Sequence, residues 1–292
     1  MKHSRYLVSG ATGFIGRALV RALLEQGNEC SIVTRRKLSK NEIFEIFGSS
    51  TIEVILEEHL EYLISSSAKN GYQAVIHLAS NYVKEHESGD IRNLLFANNT
   101  LGVLMLEAAV KSNAKFLFTS SYFEYDSEIA DTLYTITKKT FHNFVNYFLD
   151  NKKIRVIECI LYDTYGPKDN RSKLINLLIN SSITKEKISI GNPNNFISVT
   201  YIDDIVSGIL CSLNSDVSAK FILSNLDFIT VRQLSEMVSN QFEIKIRYSQ
   251  NIKNPTKPNI LKFQKPNGWH PIFDLKSGLL KIKESMEMDK NL

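Results

Sequence analysis

Residues 6–24 read YLVSGATGFIGRALVRALL, where a short apolar run leads into three spaced glycines and then into an amphipathic segment. The glycines permit a tight turn, a close backbone approach to a pyrophosphate and close packing of a helix on a strand. The first turn of that helix then faces the phosphates. An ordinary turn is the alternative, but the position between strand and helix favours a dinucleotide-binding loop. The loop residues predicted to contact the dinucleotide are Gly10, Thr12, Gly13, Phe14, Ile15 and Gly16.

The rest of the first half repeats this alternation of Val- and Ile-rich runs with longer amphipathic stretches. Alternating strands and helices indicate an α/β protein with a Rossmann-type, doubly wound parallel sheet. The apolar patterns predict strands at 6–9, 31–34, 52–56, 74–77, 116–120 and 155–161, and helices at 14–26, 94–111 and 132–150.

The pattern changes after Tyr165-Gly166-Pro167, where polar, Asn- and Lys-rich connections separate short strands. We therefore predict a dinucleotide-binding domain at 1–165, to which 201–223 returns as a helix and a strand. Residues 166–200 and 224–292 are predicted to form a smaller C-terminal α/β lobe that binds the substrate.

The composition is that of a globular protein, because 43% of the 292 residues are hydrophobic and 23% are charged. The net charge of +4 (35 basic minus 31 acidic residues) is spread along the chain, which favours a small anionic ligand and not nucleic acid. Cys30, Cys159 and Cys211 lack metal-ligand spacing, which favours reduced thiols in a reducing compartment. No apolar run approaches the ~18 residues that span a bilayer, so we expect a cytoplasmic protein without membrane insertion.

The end of the second predicted strand indicates which dinucleotide is bound. NAD enzymes place an acidic residue there to bond the ribose hydroxyls, whereas this chain has Thr34-Arg35-Arg36-Lys37 and no carboxylate before Glu42. Guanidinium groups suit a 2′-phosphate, although a solvated basic turn is the alternative. The predicted cofactor is NADP(H), in contact with Thr34, Arg35 and Arg36.

Tyr134 and Lys138 lie four residues apart at the start of the helix after the fifth strand. This spacing puts the phenol and the ammonium on one helix face, but such pairs also occur by chance, so their position carries the argument. The carboxyl end of the fifth strand should lie beside the ligand crevice of an open α/β sheet. That strand end delivers Thr119, Ser120 and Ser121 to the same place.

Together these motifs resemble an extended short-chain dehydrogenase/reductase of the NAD-dependent epimerase/dehydratase family. The resemblance covers the chain to about residue 210, and Gly268-Trp269-His270-Pro271 is similar to the C-terminal part of nucleotide-sugar members. The motifs are the glycine pattern, His77-Leu78-Ala79, the helix near Asn98, the serine cluster, residues 134–138 and Tyr165-Gly166-Pro167.

The resemblance implies roles for three residues. Tyr134 resembles the general acid, Lys138 the group that lowers its pKa and holds the nicotinamide ribose, and Ser121 the donor to the substrate carbonyl, with Ser120 as the alternative. A phenol of ordinary pKa ~10 becomes a useful proton donor near neutral pH when a nearby cation stabilises its phenolate. The nicotinamide would deliver the hydride.

The same resemblance implies further residues that bind the cofactor or the substrate. For the cofactor residues, packing in the core is the alternative interpretation. For the cofactor they are Leu78, Ala79, Ser80, Asn98, Thr119, Leu161 and Tyr162, beside Tyr134 and Lys138. For the substrate they are Ser80, Ser121, Tyr122, Tyr134, Asp163 and Lys173.

The residues next to Ser121 bear on the reaction type. Family dehydratases place an Asp-Glu pair after the active Ser or Thr, whereas this chain has Tyr122-Phe123, which cannot transfer those protons. Reductases that also epimerise use a Cys and a His, and no Cys lies between residues 31 and 158. Simple 4-epimerases recycle bound NAD, which Arg35-Arg36 argues against. A reductase needs only Ser121, Tyr134 and Lys138.

Among reductases the chain resembles the CDP-abequose and CDP-paratose synthases. The similar segments are residues 75–80, the short loop before Tyr134, residues 165–167 with Lys173-Leu174, and residues 201–204. The group usually has Arg-Asp where this chain has Ile197-Ser198, so Lys173 or Lys257 would have to hold a diphosphate.

The predicted function is NADPH-dependent reduction of the 4-keto group of a nucleotide-linked deoxyhexulose, for a surface polysaccharide or O-antigen. The alternatives are a nucleotide-sugar 4-epimerase and a non-catalytic NADP-binding scaffold or sensor. No metal is predicted, because Asp203-Asp204 is more typical of a helix start than of a metal site. The family resemblance also implies a homodimer formed by a four-helix bundle of helices 94–111 and 132–150.

Overall fold

The computed structural model describes residues 3–66, 71–126, 131–184, 186–249 and 260–290. The chain divides into two compact units. The first unit comprises residues 1–160, 209–222 and 263–267, and the second comprises 161–208, 223–262 and 268–292. The functional domains expected at 1–165 with 201–223, and at 166–200 with 224–292, stay predictions. The units themselves divide after residue 160 and within a helix of residues 202–212.

The strands and helices follow one another in the order that the apolar patterns predict for the first half of the chain. The described strands are β1 Arg5–Ser9, β2 Glu29–Thr34, β3 Glu53–Leu56, β4 Ala74–His77, β5 Lys115–Ser121, β6 Val156–Leu161, β7 Asp163–Tyr165, β8 Ile188–Ile190, β9 Phe196–Ile197, β10 Val199–Tyr201, β11 Ala219–Leu223, β12 Ile229–Thr230 and β13 Ile246–Tyr248. The described α-helices are α1 Phe14–Glu25, α2 Lys40–Phe47, α3 Leu60–Ser66, α4 Ile91–Leu95, α5 Leu101–Ser112, α6 Leu133–Lys152, α7 Leu174–Thr184, α8 Ile202–Ser212, α9 Val231–Phe242 and α10 Leu275–Lys290.

The seven-stranded sheet has the order β11-β6-β5-β4-β1-β2-β3. β1 pairs in parallel with β2 and with β4, and the pairs β2–β3 and β4–β5 are also parallel. The strand order therefore reverses between β1 and β4, as in a doubly wound Rossmann sheet, which confirms the predicted fold class. Such a reversal opens a crevice at the carboxyl ends of the strands, where α/β proteins bind their ligands.

The core that fixes β5 against α5 and α6 is aromatic and aliphatic. Phe116 and Phe118 of β5, Met105 of α5 and Phe141 of α6 are each at most 1% exposed and belong to one hydrophobic cluster. Burying a side chain of this size stabilises the fold by about 1.5–3 kcal/mol relative to exposure. Because β5 carries the serine cluster and α6 carries Tyr134, this packing sets the distance between them.

Residues 94–111 are helical as predicted, but they are not α-helical throughout. A π-helical turn, Phe96–Thr100, separates α4 from α5, because Asn98 and Asn99 turn inward to hydrogen-bond with Thr137 of α6. Within the described residues, the helical run Ser88–Ser112 is long and apolar enough to cross a membrane by length and composition. Leu94, Leu101 and Met105 of this run are buried inside the first unit, as in a core helix.

The second unit contains three short two-stranded sheets: β10 with β7, β12 with β9, and β13 with β8. Asp203 and Asp204 lie in the first turn of α8, where carboxylates complement the helix dipole. Asp204 also accepts the backbone N–H groups of Ile272 and Phe273, at 2.9 and 3.0 Å. Both of its oxygens therefore hold the backbone of this C-terminal segment. No group of three or more His, Cys, Asp or Glu side chains in the described parts of the chain is arranged to hold a metal ion.

Candidate active site

The glycine loop has the tight geometry that a dinucleotide requires. Gly10 has φ of +71°, and a Cβ built on it would lie 2.4 Å from the backbone nitrogen of Ala79. A Cβ on Gly16 would lie 2.1 Å from the Gly10 oxygen. Gly13, which is the N-cap of α1, brings no side chain to the N–H groups of the first helical turn. These residues fit a pyrophosphate at the helix N-terminus.

The loop residues named from the sequence surround this turn. Thr12 lies in the turn, Phe14 and Ile15 begin α1, and Leu78 and Ala79 follow β4 directly. Leu78 donates its backbone N–H to the oxygen of Ser9 at 3.1 Å, which continues the pairing of β1 and β4 past His77. The glycine turn therefore packs directly against the end of β4.

The basic end of β2 is more constrained than its sequence suggests. Arg36 forms an ion pair with Glu42 at 2.7 Å and also donates to the Lys37 oxygen, while the Thr34 hydroxyl donates to the Arg36 oxygen. Hydrogen bonds from Ser39 and then from Arg36 lower the pKa of Glu42 to about 2. Arg36 is thus tied to the start of α2, whereas the side chain of Arg35 is exposed.

Tyr134 lies in the first turn of α6 and is 8% exposed. Burial raises its pKa above the ordinary value, and the charges of Glu124 and of the Tyr82 phenol group act in the same direction. Hydrogen bonds with the hydroxyls of Ser80 and Ser121 oppose this rise. The direction is opposite to the lowered pKa expected from the sequence, because burial outweighs the stabilisation that these hydroxyls give to a phenolate.

Lys138 is held to β5 by its ammonium group. Its Nζ donates to the Thr119 oxygen at 2.8 Å, and the residue is 4% exposed. Thr119, named from the sequence as a cofactor residue, therefore contributes its carbonyl oxygen to this contact. The Lys138 charge and burial lower the pKa of His77 to about 3, with burial as the larger cause. Tyr134, Lys138, Ser80 and Ser121 thus lie together at the carboxyl ends of β4 and β5.

Asn98 connects these residues through four hydrogen bonds. Its oxygen accepts from the Ser80 hydroxyl and from the Asn81 N–H, at 3.2 and 2.8 Å. Its nitrogen donates to the Asn81 oxygen and to the hydroxyl of Thr137, at 3.2 and 2.9 Å. Asn99 donates to the oxygen of the same Thr137 at 2.8 Å. Neither Asn99 nor Thr137 stands out in the sequence, because the π-helical turn that pairs them leaves no local pattern.

The two candidate serines differ in what they contact. Ser121 ends β5 and its hydroxyl reaches Tyr134. Ser120 is 3% exposed, and its hydroxyl opposes the rise in the pKa of Tyr125. Tyr122 begins a 3₁₀ turn, Tyr122–Glu124, and its ring packs against Phe123 at 4.3 Å between centroids. Ser121 is thus the serine whose hydroxyl acts on the phenol of Tyr134.

Glu124, at the end of this turn, was not singled out from the sequence. Its side chain is 1% exposed and accepts the backbone N–H of Ser121 at 2.6 Å. The spacing of Ser121 and Glu124 is that of a capping box, which is the sequence signal that could have identified it.

Four of the cofactor- and substrate-binding residues predicted from the sequence belong to the second unit. Lys173 forms an ion pair with Asp163 at 2.8 Å, and the ring of Tyr162 meets Phe228 edge to face at 5.4 Å. Leu161 is 9% exposed at the end of β6. Ser198, which stands where related reductases have Asp, accepts the Asp163 N–H through its backbone oxygen at 3.2 Å. Lys257 lies outside the described residues.

The comparisons with known proteins agree with this fold. The model of the "NAD dependent epimerase/dehydratase family" matches residues 6–222. A CDP-abequose synthase of Salmonella typhimurium is 27% identical, over 94% of this chain and 95% of its own length. A UDP-glucuronic acid decarboxylase 1 of Arabidopsis thaliana is 24% identical, over 95% of this chain and 68% of its own length.

A solved structure has the same fold across nearly the whole chain. The UDP-glucuronic acid 4-epimerase of Bacillus cereus, crystallised with UDP-glucuronic acid and NAD, superposes with a TM-score of 0.81. The match covers 97% of this chain and 99% of that chain at 19% sequence identity.

Proposed function

Because the chain belongs to the NAD dependent epimerase/dehydratase family, we propose that it reduces the 4-keto group of a nucleotide-linked deoxyhexulose with NADPH. The proposal rests on the position of Tyr134, which is 8% exposed in the first turn of α6, while Lys138 one turn later donates to the oxygen of Thr119, two residues before Ser121. A ketone oxygen in contact with Ser121 and Tyr134 would receive a hydrogen bond from the first and a proton from the second. The resemblance to CDP-abequose synthase over 94% of the chain supports a CDP-linked substrate.

In this proposal Gly10, Gly13 and Gly16 hold the dinucleotide pyrophosphate, and Lys138 holds the nicotinamide ribose from its anchor on Thr119. When bound, the nicotinamide supplies the hydride. The buried, protonated phenol of Tyr134 supplies the proton. Arg35, whose side chain is exposed, is the proposed partner of the 2′-phosphate. In the second unit, Asp163 and Lys173 are proposed to contact the substrate.

Tyr122 and Phe123 favour reduction over dehydration. Phe123 carries no group that transfers protons, and these two positions offer no acidic pair to remove a proton from carbon and protonate a leaving hydroxyl. The reaction proposed for this site therefore ends at the alcohol. We assign it to the synthesis of a deoxysugar for a surface polysaccharide, in the cytoplasm.

A 4-epimerase with bound NAD is the second candidate. It is favoured by the ion pair of Arg36 with Glu42, which removes one guanidinium from the 2′-phosphate site. It is also favoured by the fold similarity to the Bacillus cereus 4-epimerase. An epimerase returns the hydride to the same sugar, so it would keep its cofactor through purification.

The test is the loss of NADPH absorbance with CDP-4-keto-3,6-dideoxyglucose as substrate. NADH and the UDP, dTDP and GDP 4-keto-6-deoxy sugars are run in parallel. We expect rapid oxidation of NADPH with the CDP sugar and slow oxidation of NADH. Inactivity with every ketone, together with NAD in the purified protein, would favour the epimerase. Inactivity with bound NADP would favour a non-catalytic scaffold or sensor.

We further propose that the protein forms a homodimer through α4, α5 and α6, as the family resemblance implies. Exposed apolar side chains support this surface. Leu95 on α4 and Ile136, Phe144 and Tyr147 on α6 are 39–52% exposed. Side chains of this size are buried when two pairs of helices pack into a four-helix bundle.

A further inference from the structure

A cluster of ionisable side chains with two buried carboxylates lies next to Ser121, and the proposed reaction places none of its members in contact with substrate or cofactor. We call Glu124, Tyr125, His142, Glu158 and Lys220 the Glu124 cluster; all belong to the first unit. The side chains of Glu124 and Glu158 are 1% and 3% exposed. Carboxylates so far from water are unfavourable unless hydrogen bonds and opposite charges compensate them. The partners of these two carboxylates therefore indicate what the cluster holds in place.

Both oxygens of Glu124 are occupied. One accepts the backbone N–H of Ser121 at 2.6 Å, and the other accepts from Nε2 of His142 at 2.8 Å. The Ser121 hydroxyl also accepts the N–H of Phe123, but at 3.4 Å, so this contact restrains it weakly. At the end of β5, Glu124 therefore holds the Ser121 backbone N–H, next to the hydroxyl of the same residue.

His142 connects this turn to the helix that carries the proposed acid. Tyr134, Lys138 and His142 follow one another at intervals of four residues on α6, so they share one helix face. The imidazole packs edge to face on Phe118 of β5 at 5.7 Å between centroids. Glu124 and His142 therefore form a direct buried link between the Ser121 turn and α6.

Tyr125 and Lys220, the remaining members of the Glu124 cluster, contact the carboxylate of Glu158. Glu158 on β6 accepts the Tyr125 hydroxyl, and Lys220 on β11 lies 3.2 Å from Glu158. Burial first, and then Glu158, raise the pKa of Tyr125, so it remains a hydrogen-bond donor. His142 is 3.7 Å from Glu158 as well as 2.8 Å from Glu124. The cluster is thus satisfied within the first unit and requires no ligand of its own.

We propose that Glu124 and His142 are positioning residues that hold the Ser121 hydroxyl next to the Tyr134 phenol, so that both can contact one carbonyl oxygen. This inference rests on the proposed function, because it takes Ser121 and Tyr134 as the groups that bind the ketone oxygen. A displacement of about 1 Å at a reacting group lowers a rate by about 10²-fold. Loss of the link should therefore lower kcat and leave cofactor binding unchanged.

The test compares Glu124→Leu, Glu124→Gln and His142→Leu with wild type in the ketone reduction assay. Glu124→Leu removes the acceptor, and we expect kcat to fall by about 10- to 100-fold with KM for NADPH within about two-fold of wild type. Glu124→Gln keeps a carbonyl oxygen for the Ser121 N–H, so kcat should stay within about five-fold of wild type. We expect kcat of His142→Leu to lie between the values for Glu124→Leu and Glu124→Gln.

The matched control is Gln233→Leu, which removes the equivalent acceptor from the capping box of α9, where Gln233 accepts the Thr230 N–H at 2.8 Å. We expect wild-type kcat in this variant. Wild-type kcat in folded Glu124→Leu would overturn the proposal. Equal losses in the Gln and Leu variants of Glu124 would also overturn it, because they would assign the effect to charge and not to acceptance of the N–H.

A readout independent of turnover is the amide proton of Ser121 in NMR spectra. A short bond to a carboxylate moves this resonance downfield, and we expect it to move upfield in Glu124→Leu. An unchanged resonance would overturn the link itself. If wild type reduces no ketone while this resonance shifts as expected, the proposed function fails and the link between Glu124 and Ser121 stands.

Discussion

The phenol of Tyr134 lies in an environment that keeps it protonated. Burial, the charge of Glu124 and the charge of the Tyr82 phenol group raise its pKa, and the Ser80 and Ser121 hydroxyls only partly compensate. A group that donates a proton must carry one at working pH. The environment of the residue therefore matches the reductive direction of the proposed reaction, in which the phenol starts in its acid form.

At the scale of this residue we expect a broad pH profile for ketone reduction. Because the pKa of Tyr134 is raised, its acid form persists, and kcat should vary by less than about three-fold between about pH 6 and 9. Tyr134→Phe should lower kcat by about 10³-fold or more and change NADPH affinity by less than about three-fold. Steady-state kinetics and fluorescence titration of NADPH measure these quantities.

Tyr62→Phe is the control for that experiment, since Tyr62 is 79% exposed on α3 and lies outside the proposed site. Wild-type kinetics are expected for it. A fall in wild-type kcat centred near neutral pH would contradict a phenol whose pKa is raised by burial. Substantial reduction by Tyr134→Phe would contradict its role as the acid.

Among the elements, the glycine turn has two separate requirements. Gly16 lacks space for a side chain, because a Cβ would lie 2.1 Å from the Gly10 oxygen and 2.7 Å from the Ala11 Cα. Gly13 is less restricted within the protein, since the contact found for its Cβ is the Gly10 oxygen at 3.1 Å. Gly16 is therefore needed for the packing of α1 on the residues that follow β1, and Gly13 leaves space at the turn where we propose that the dinucleotide binds.

This difference predicts distinct effects of alanine at the two positions. Gly16→Ala should lower the free energy of unfolding by about 1–3 kcal/mol or more, because backbone atoms have to move. Gly13→Ala should retain most of the stability and raise the Kd for NADPH by about ten-fold or more, since its methyl group occupies the phosphate face. Thermal unfolding and fluorescence titration of NADPH separate these effects. The control is Gly191→Ala, at a glycine with open space around its Cβ, which should change neither the stability nor the Kd for NADPH. An equal loss of stability in Gly13→Ala and Gly16→Ala would contradict the different roles of the two glycines.

The elements of the first unit follow from local patterns in the sequence. The strands predicted at 6–9 and 74–77 agree with β1 and β4 to within one residue, because apolar runs and flanking turns determine them locally. The π-helical turn Phe96–Thr100 could not be predicted, because it depends on hydrogen bonds from Asn98 and Asn99 to a residue of another helix. Elements that pack against a distant partner are the ones that the local pattern misses.

The same reasoning applies to the candidate site. The positions of Tyr134, Lys138 and Ser121 follow from spacing and strand order, and the structure brings the three together at one edge of the sheet. The ion pair of Arg36 with Glu42 and the bond of Glu124 with His142 join side chains from separate parts of the fold. The constraint on Arg36, and the burial that raises the pKa of Tyr134, could be found only in the structure.

At the scale of the whole molecule, the proposed dimer depends on the exposed apolar face of α4 and α6. Phe144→Glu places a charge on this face, where burial of an unpaired carboxylate is unfavourable. We expect wild type to sediment as a dimer at micromolar concentration and Phe144→Glu to sediment as a monomer with unchanged secondary structure. The control is Phe44→Glu, since Phe44 is 60% exposed on α2, and it should remain a dimer. A monomeric wild type would contradict the proposed interface.

The order in which the chain builds its main sheet has a consequence for synthesis. Six of the seven strands lie before residue 162, but the strand beside β6 is β11, Ala219–Leu223. Phe221 of that strand bridges to Gln264, and Lys115 donates to the oxygen of Leu213, 98 residues later. During translation the edge of β6 therefore stays open to other strands until more than fifty further residues have left the ribosome. A fragment that stops near residue 160 would keep this edge unpaired, so the discontinuous first unit is expected to need the segments up to residue 267 for independent folding.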